Sequence, residues 1–367
     1  MRLRTQFELR ALFTIGCVGA ALAAPAFVYG QWDLEQSGTT ESLRGVSSVG
    51  GGVAWASGAH GTVLRTEDGG YVWQRCGRPE GPEGKEFGEL DFRAVVGFDA
   101  NTALVMSSGK GALSRLYKTT DGCNSWKLVA ANPDAEGFWD ALVVVDQPGL
   151  DLMILGDPVE GKFVVRSSDD GGTTWKNEDV DAAAKGEGAF AASNSSLMVN
   201  VVDGPAVFGT GGPEGARLFA QSDQMRWSAR PMLMFAKGES AGIFSINFAD
   251  GKHLVAVGGD YKKPDAAVGN AAWSEDGGKS WHAATAGPHG YRSAVQYDEK
   301  AKFWIAVGPS GTDISRDGGR TWIAVRPGVG EAADADTQWN ALSLPFVVGA
   351  KGRIGKWRSD AASRAKK

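Results

Sequence analysis

Short apolar runs separated by glycine-rich turns follow one another along most of the chain. A first run such as residues 43–46 or 92–95 is followed by a second such as residues 54–58, and then by a third and a fourth. Runs of this length between turn residues are typical of β-strands. The pattern predicts a protein of many short strands, and its 52 glycines and 13 tryptophans agree with that prediction.

One eight-residue motif recurs where the third run of each group ends. It reads Ser/Thr-x-Asp-x-Gly-x-x-Trp, and Cys123 takes the glycine place in the second copy. Successive motif tryptophans lie 53, 49, 52, 54 and 41 residues apart. A period near 50 residues with four strands per repeat is typical of a β-propeller blade. The copies, of which the fourth is shortened, span residues 66–73, 119–126, 168–175, 222–227, 274–281 and 315–322.

The composition of the motif suits a tight turn. Its aspartate can accept hydrogen bonds from turn amides, and its glycines permit positive φ. Its tryptophan can fill the space between adjacent blades. We therefore interpret the motif aspartates as structural, and we place each motif between the third and fourth strands of its blade.

Six groups of runs fit between residues 43 and 326, and a seventh begins at Trp339 and stops near Trp357 without a motif. Residues 31–34 can supply its missing outer strand, which would close the ring and remove two exposed sheet edges. The sequence thus predicts an all-β fold, a single seven-bladed β-propeller over residues 31–360. Its last blade is closed by the N-terminal strand, and a basic tail follows at residues 361–367.

The first 30 residues have the pattern of a secretory signal peptide. Arg2, Arg4 and Arg10 precede an apolar run over residues 11–24, and either Ala26 or Gly30 could end the leader. The run is short for a membrane span. We expect a periplasmic or secreted protein with no membrane insertion after signal cleavage.

The net charge, the cysteines and the histidines indicate which ligands, disulfides and metals to expect. The formal net charge of -5 leaves no basic field for nucleic acid. Cys76 and Cys123 lie about one repeat apart, so they could pair between neighbouring blades or remain separate thiols. The four histidines lack metal-ligand spacing and no nucleotide-binding motif is present, so we expect no metal and no cofactor.

The motifs, each preceded by a valine–glycine strand, resemble the Asp boxes of the sialidase-superfamily propellers. Residues 55–73 are also similar to the photosystem II assembly-factor propellers and their non-photosynthetic bacterial relatives. Together these resemblances cover essentially the whole mature chain. Phe92-Arg93-Ala94-Val95 is similar to the sialidase Phe/Tyr-Arg-Ile-Pro motif without its proline, which implies that Arg93 binds a substrate carboxylate. The sequences around Arg44 and Arg292 are comparable.

Polar residues at the starts of the innermost strands predict a site in the central funnel. In a propeller these starts surround the channel on one face, and the loops between second and third strands open onto the same face. The motif turns lie on the opposite face. The aligned strand starts are Arg44, Arg93, Asp140, Glu187, Ser240, Arg292 and Asn340, and the loops add His60, Asp157, Asp260 and Tyr261.

Several arginines and carboxylates on one face suit an anionic ligand. Arginine binds a carboxylate in a two-pronged geometry, and two carboxylates of different pKa can serve as acid and as base or nucleophile in glycoside cleavage. We therefore predict an exported, monomeric glycoside hydrolase-like or lyase-like enzyme acting on an acidic sugar or glycan. The predicted catalytic residues are Asp140, Glu187 and Tyr261, and the predicted ligand-binding residues are Arg44, Arg93, Arg292, Asp157, Asp260 and His60.

Two alternatives stay open at this point. The first is a non-catalytic, assembly-factor-like propeller whose arginine-lined face grips an acidic segment of a protein partner. The second is purely structural, since polar residues that line a wet channel can simply pair with one another, as Arg44 could with Asp140. A deep pocket with two carboxylates about 5–10 Å apart favours hydrolysis, and a broad basic patch favours protein binding.

Overall fold

The computed structural model describes residues 28–29, 32–79, 81–146, 151–199, 206–328 and 330–358. These residues form seven mainly antiparallel sheets, one per sequence repeat, arranged as a seven-bladed β-propeller. The predicted leader, apart from Val28–Tyr29, and the predicted basic tail lie outside the described residues. In the part of the chain that is described, no helix has the length and apolar character needed to cross a membrane.

The blades follow one another in chain order. In blades 1 to 3 the strands, from innermost to outermost, are Leu43–Gly50, Val53–Gly58, Thr62–Thr66 and Gln74–Arg75; Phe92–Gly97, Ala103–Ser107, Arg115–Thr119 and Lys127–Ala131; and Trp139–Asp146, Asp151–Val159, Lys162–Ser168 and Lys176–Asn177. In blades 4 to 6 they are Leu197–Val199, Ala206–Gly209, Arg217–Gln221 and Arg226–Pro231; Ala241–Phe248, Leu254–Asp260, Ala271–Ser274 and His282–Ala283; and Ala294–Asp298, Phe303–Gly308, Gly311–Ser315 and Ile323–Arg326.

A few elements depart from the four-stranded repeat. Asp179–Val180 adds a parallel fifth strand to the outer edge of blade 4, and Val28–Tyr29 does the same for blade 6. The described helical segments are short: an α-helix at Gly81–Phe87 and 3₁₀ turns at Gly111–Leu113 and Ala350–Gly352.

Blade 7 is closed by the N-terminal strand, which confirms the prediction. Its inner strands are Trp339–Ser343, Phe346–Gly349 and Ile354–Trp357, and Trp32–Glu35 pairs antiparallel with the last of them. Chain segments from opposite ends of the sequence therefore share one sheet.

Each of the seven contacts between neighbouring blades is filled by one apolar cluster of described residues. The buried tryptophans Trp55, Trp139, Trp227 and Trp339 are among the largest fully buried side chains. Because neighbouring blades pack face to face, each sheet buries both of its faces. The apolar core is therefore a ring of clusters between the blades.

The repeat motif forms the turn between third and fourth strands, as predicted. In blade 1, Gly70 N donates to Thr66 Oγ1 at 3.0 Å, and Val72 N donates to Asp68 Oδ1 at 3.0 Å. Hydrogen bonds from Ser125 hold the pKa of Asp121 at about 2, and bonds from Thr174 do the same for Asp170. These aspartates are committed to turn geometry, which agrees with their structural interpretation.

Cys76 and Cys123 form a disulfide with a Cα–Cα distance of 5.3 Å. Cys76 directly follows the outer strand of blade 1, and Cys123 lies in the motif turn of blade 2. Of the two alternatives that the sequence left open, the structure therefore shows the bridge between neighbouring blades.

Candidate functional site

A β-bulge recurs near the start of the innermost strand in five blades. The strand register skips one residue between Leu43 and Gly45 in blade 1, and it does so at the equivalent place in blades 2, 3, 5 and 7. A bulged residue leaves the regular ladder and its side chain is re-aimed. The five bulged residues are Arg44, Arg93, Asp140, Phe244 and Asn340, and all of them line one central cavity.

This cavity, the funnel, has a volume of about 490 Å³, within the range of roughly 300–1,000 Å³ that is usual for ligand sites. Besides the bulged residues it is lined by Asp157, Tyr261, Tyr291 and Ser293. Five residues predicted for the site therefore meet here: Arg44, Arg93, Asp140, Asp157 and Tyr261.

The segment of residues 189–195, the crossing segment, crosses the channel and contributes residues 189–192 to the funnel lining. Ala191 O accepts a bond from Arg93 in blade 2, Asn194 bonds the backbone of Leu142 in blade 3, and Ser193 Oγ donates to Ser293 O in blade 6. These bonds join the segment to blades 2, 3 and 6, so it is held from several sides of the ring.

Two arginines lie on one wall of the funnel. Arg93 Nε donates to Asp91 Oδ2 at 2.8 Å, whereas Arg44 Nε is buried without a hydrogen-bond partner among the described residues. Burial and repulsion from Arg93 both lower the pKa of Arg44. A negative group bound beside the two guanidinium groups would relieve this repulsion.

Two carboxyl groups adjoin the arginines. Burial and the nearby Asp157 raise the pKa of Asp140 well above its ordinary value, and Arg93 opposes that rise. Asp140 Oδ2 is buried and has no hydrogen-bond partner within the described chain. Burial also raises the pKa of Asp157, whose Oδ1 accepts a bond from Ala189 N at 2.9 Å.

Aromatic rings form the other wall, a feature that the sequence prediction missed. Phe190 stacks on Phe244 with ring centroids 3.7 Å apart, and Phe244 meets Tyr291 edge-on at 4.7 Å and Tyr261 at 6.1 Å. The sequence does contain evidence for the position of Phe244. Ile243-Phe244-Ser245-Ile246 aligns with Leu43-Arg44-Gly45-Val46, because a small and then an apolar residue follow in both.

Glu187 does not lie in the funnel, although it was predicted as a catalytic residue. Its carboxylate accepts bonds from Arg217 Nε at 2.9 Å and from Thr210 Oγ1 at 2.5 Å. The strand alignment placed it at a blade start, but the innermost strand of blade 4 begins ten residues later, at Leu197. The residues between Glu187 and Leu197 include the crossing segment. Glu187 anchors the loop that precedes this segment.

Arg292 is likewise outside the funnel, because the register of blade 6 differs by one residue from the predicted alignment. A Cβ on Gly308 would meet Tyr291 O, just as one on Gly58 would meet Ser42 O, so Ser293 rather than Arg292 occupies the place of Arg44. The Arg292 side chain is fully buried and its Nε donates to Asp313 Oδ2 at 2.8 Å.

The two remaining predicted ligand-binding residues are also absent from the funnel lining. Asp260 accepts a bond from Ser240 Oγ at 2.6 Å and pairs with Lys263. His60 is largely exposed and its Nδ1 lies 2.7 Å from Glu41 Oε2. Ser240 was aligned as the start of blade 5, but Phe244 occupies the bulge position that is equivalent to Arg44.

A second groove, of about 650 Å³, lies at the seam between blades 7 and 1, and three of its charged residues, Glu41, Asp334 and Arg353, pair with neighbours. The described residues contain no group of three or more His, Cys, Asp or Glu that could hold a metal ion.

Comparisons with known proteins bear on the fold. No family model and no curated protein matches the chain. The solved structure of YCF48 bound to a D1 peptide is similar, with a TM-score of 0.61 and 17% identity, over 92% of this chain and 99% of that one. YCF48 from Cyanidioschyzon merolae gives a TM-score of 0.61 and 17% identity, over 90% of this chain and 100% of that one. The resemblance to sialidases gains no support from these structures and stays a prediction, whereas the likeness to YCF48 shows a shared propeller fold.

Proposed function

We propose that the chain is a non-catalytic propeller that binds an acidic segment of a protein partner in its funnel. The observation that carries this proposal is the pair Arg44 and Arg93, set at equivalent bulges of adjacent blades in one cavity. Two guanidinium groups that repel each other in one cavity favour a carboxylate ligand.

The comparison with YCF48 supports a protein ligand over a glycan. One similar structure is described as bound to a D1 peptide, so a propeller of this fold binds a peptide. The catalytic prediction, in contrast, has lost Glu187 to an ion pair with Arg217 outside the funnel. The disulfide between Cys76 and Cys123 supports an oxidising compartment, so we place this binding in the periplasm or outside the cell.

Fluorescence anisotropy with two labelled peptide pools tests the proposal. One pool holds random heptapeptides with at least two Asp or Glu residues, and the other has Asn and Gln in their place. We expect the acidic pool to bind at least about 10-fold more tightly, because a charge-assisted hydrogen bond contributes about 1.5–3 kcal/mol. Equal binding of the two pools, or of neither, would overturn the proposal.

One observation keeps the acidic-glycan enzyme as a second candidate. Asp140 and Asp157 line the same cavity as the arginines, and burial raises the pKa of Asp140 well above its ordinary value, as a general acid requires. A panel of acidic and neutral glycans, scored for new reducing ends and unsaturated products, tests it. Turnover that Asp140→Asn abolishes would establish the enzyme, and absence of turnover by a well-folded protein would remove this candidate.

A further inference from the structure

The funnel wall is divided into a charged arc and an aromatic arc. Blades 1 to 3 contribute Arg44, Arg93 and Asp140, one after another around the ring. The crossing segment and blade 5 contribute Phe190 and Phe244 to the other side. A ligand that only needed to be acidic would leave the aromatic arc in contact with water.

The aromatic arc keeps apolar surface open to the cavity. Phe244 is 2% exposed and acts as the centre of the cluster, while Tyr261 is 47% exposed and Phe190 is half-buried. Exposed aromatic rings beside a cavity commonly receive an apolar or aromatic group of a ligand, since ring pairs contribute beyond the area they bury. Phe138, which is half-buried beside Asp140, extends this apolar rim.

We infer that the funnel selects an acidic residue directly adjacent to an aromatic residue in the bound segment. This inference rests on the proposed function and specifies its ligand. Successive side chains of an extended peptide point to opposite sides. A peptide that enters along the funnel axis therefore turns one side chain to Arg44 and Arg93 and the next one to Phe190 and Tyr261.

Selection from a displayed library of random heptapeptides tests this inference. We expect Asp or Glu next to Phe, Tyr or Trp to be enriched about 10-fold over the unselected library. Arg44→Met/Arg93→Met should lose the preference for acids, and Tyr261→Ser should lose the preference for aromatics while it keeps that for acids. Tyr71→Ser is the matched control, because Tyr71 is 84% exposed in a motif turn on the opposite face.

The possible outcomes separate the two proposals. Acidic peptides enriched without an aromatic neighbour would overturn this inference and leave the proposed function standing. Aromatic residues enriched two or more positions from the acid, rather than adjacent to it, would also overturn the adjacency. A selection that enriches neither acids nor aromatics would overturn both proposals.

Discussion

At the scale of single residues, a shift of one position decides whether an arginine faces the funnel. Arg44 occupies the bulge of its strand and lines the cavity, whereas Arg292 lies one residue before the equivalent place and is buried against Asp313. The two local sequences look alike, so both arginines were predicted to bind ligand. Register is set by pairing with the neighbouring strand, which a local pattern does not encode.

Asp336 provides a test of burial at this scale. Both of its carboxylate oxygens are buried without a hydrogen-bond partner among the described residues. Burial and the nearby Glu331 raise its pKa from 3.8 to about 6, against the opposing influence of Arg358 and Arg353. The folded protein therefore holds this proton more tightly than the unfolded chain, and the stability that Asp336 contributes is lost as pH rises from about 4 through about 6.

Asp336→Asn should remove this pH dependence. We expect the variant and the wild type to be similar near pH 4, and the variant to be more stable by about 2–3 kcal/mol above pH 7, since one pKa unit corresponds to about 1.4 kcal/mol. Urea unfolding at a series of pH values measures the difference. A stability difference that does not change with pH would show that Asp336 is not buried as a charged group.

At the scale of elements, local structure could be predicted from the sequence and long-range structure could not. The motif turn was predicted because the side-chain hydrogen bonds of its serine or threonine and its aspartate join residues within four positions of one another, such as Gly70 to Thr66. The crossing segment was missed because its partners, including Arg93 and Ser293, come from distant blades. Its small residues carry no strand or helix pattern of their own.

A buried motif serine should stabilise the turn that it forms. In blade 5, Ser274 is 2% exposed and its Oγ accepts a bond from Gly278 N at 2.9 Å. Ser274→Ala leaves that amide without its partner, so we expect a loss of about 1–3 kcal/mol in the free energy of unfolding. Chemical denaturation measures this loss.

The shortened motif of blade 4 supplies the matched control. Ser222 is exposed, and the bond that its Oγ accepts from Arg226 N is long, at 3.4 Å. Ser222→Ala should change the free energy of unfolding by no more than about 0.5 kcal/mol. Equal losses in the two variants would contradict a stabilising role for the buried motif serine.

At the scale of the whole molecule, closure of the ring links the two ends of the chain. Trp32 is 2% exposed, packs against Trp339 and Trp357, and donates its Nε1 hydrogen to Thr312 Oγ1 at 3.0 Å in the neighbouring blade. The sequence allowed this closure to be predicted because the seventh repeat lacks one strand and residues 31–34 supply one. Counting strands sufficed, since a propeller leaves no sheet unfinished.

Trp32→Ala should therefore destabilise the whole ring. We expect a loss of about 3–5 kcal/mol, the usual cost of removing a buried tryptophan side chain. Leu34→Ala on the same strand is the control, because Leu34 is 49% exposed and should cost far less. If both substitutions lower the melting temperature equally, the closing strand does not contribute through its buried tryptophan.

The dissociation constant of the acidic peptide pool for Arg44→Met/Arg93→Met tests the central claim most directly. The matched control is Lys127→Met/Arg226→Met, which removes two exposed cations at the first residues of strands that adjoin motif turns, on the opposite face. If the funnel binds an acidic segment, the first variant binds the pool at least about 10-fold more weakly than the wild type, and the control binds it unchanged. Equal affinity of all three proteins for the acidic pool would contradict the funnel as the binding site.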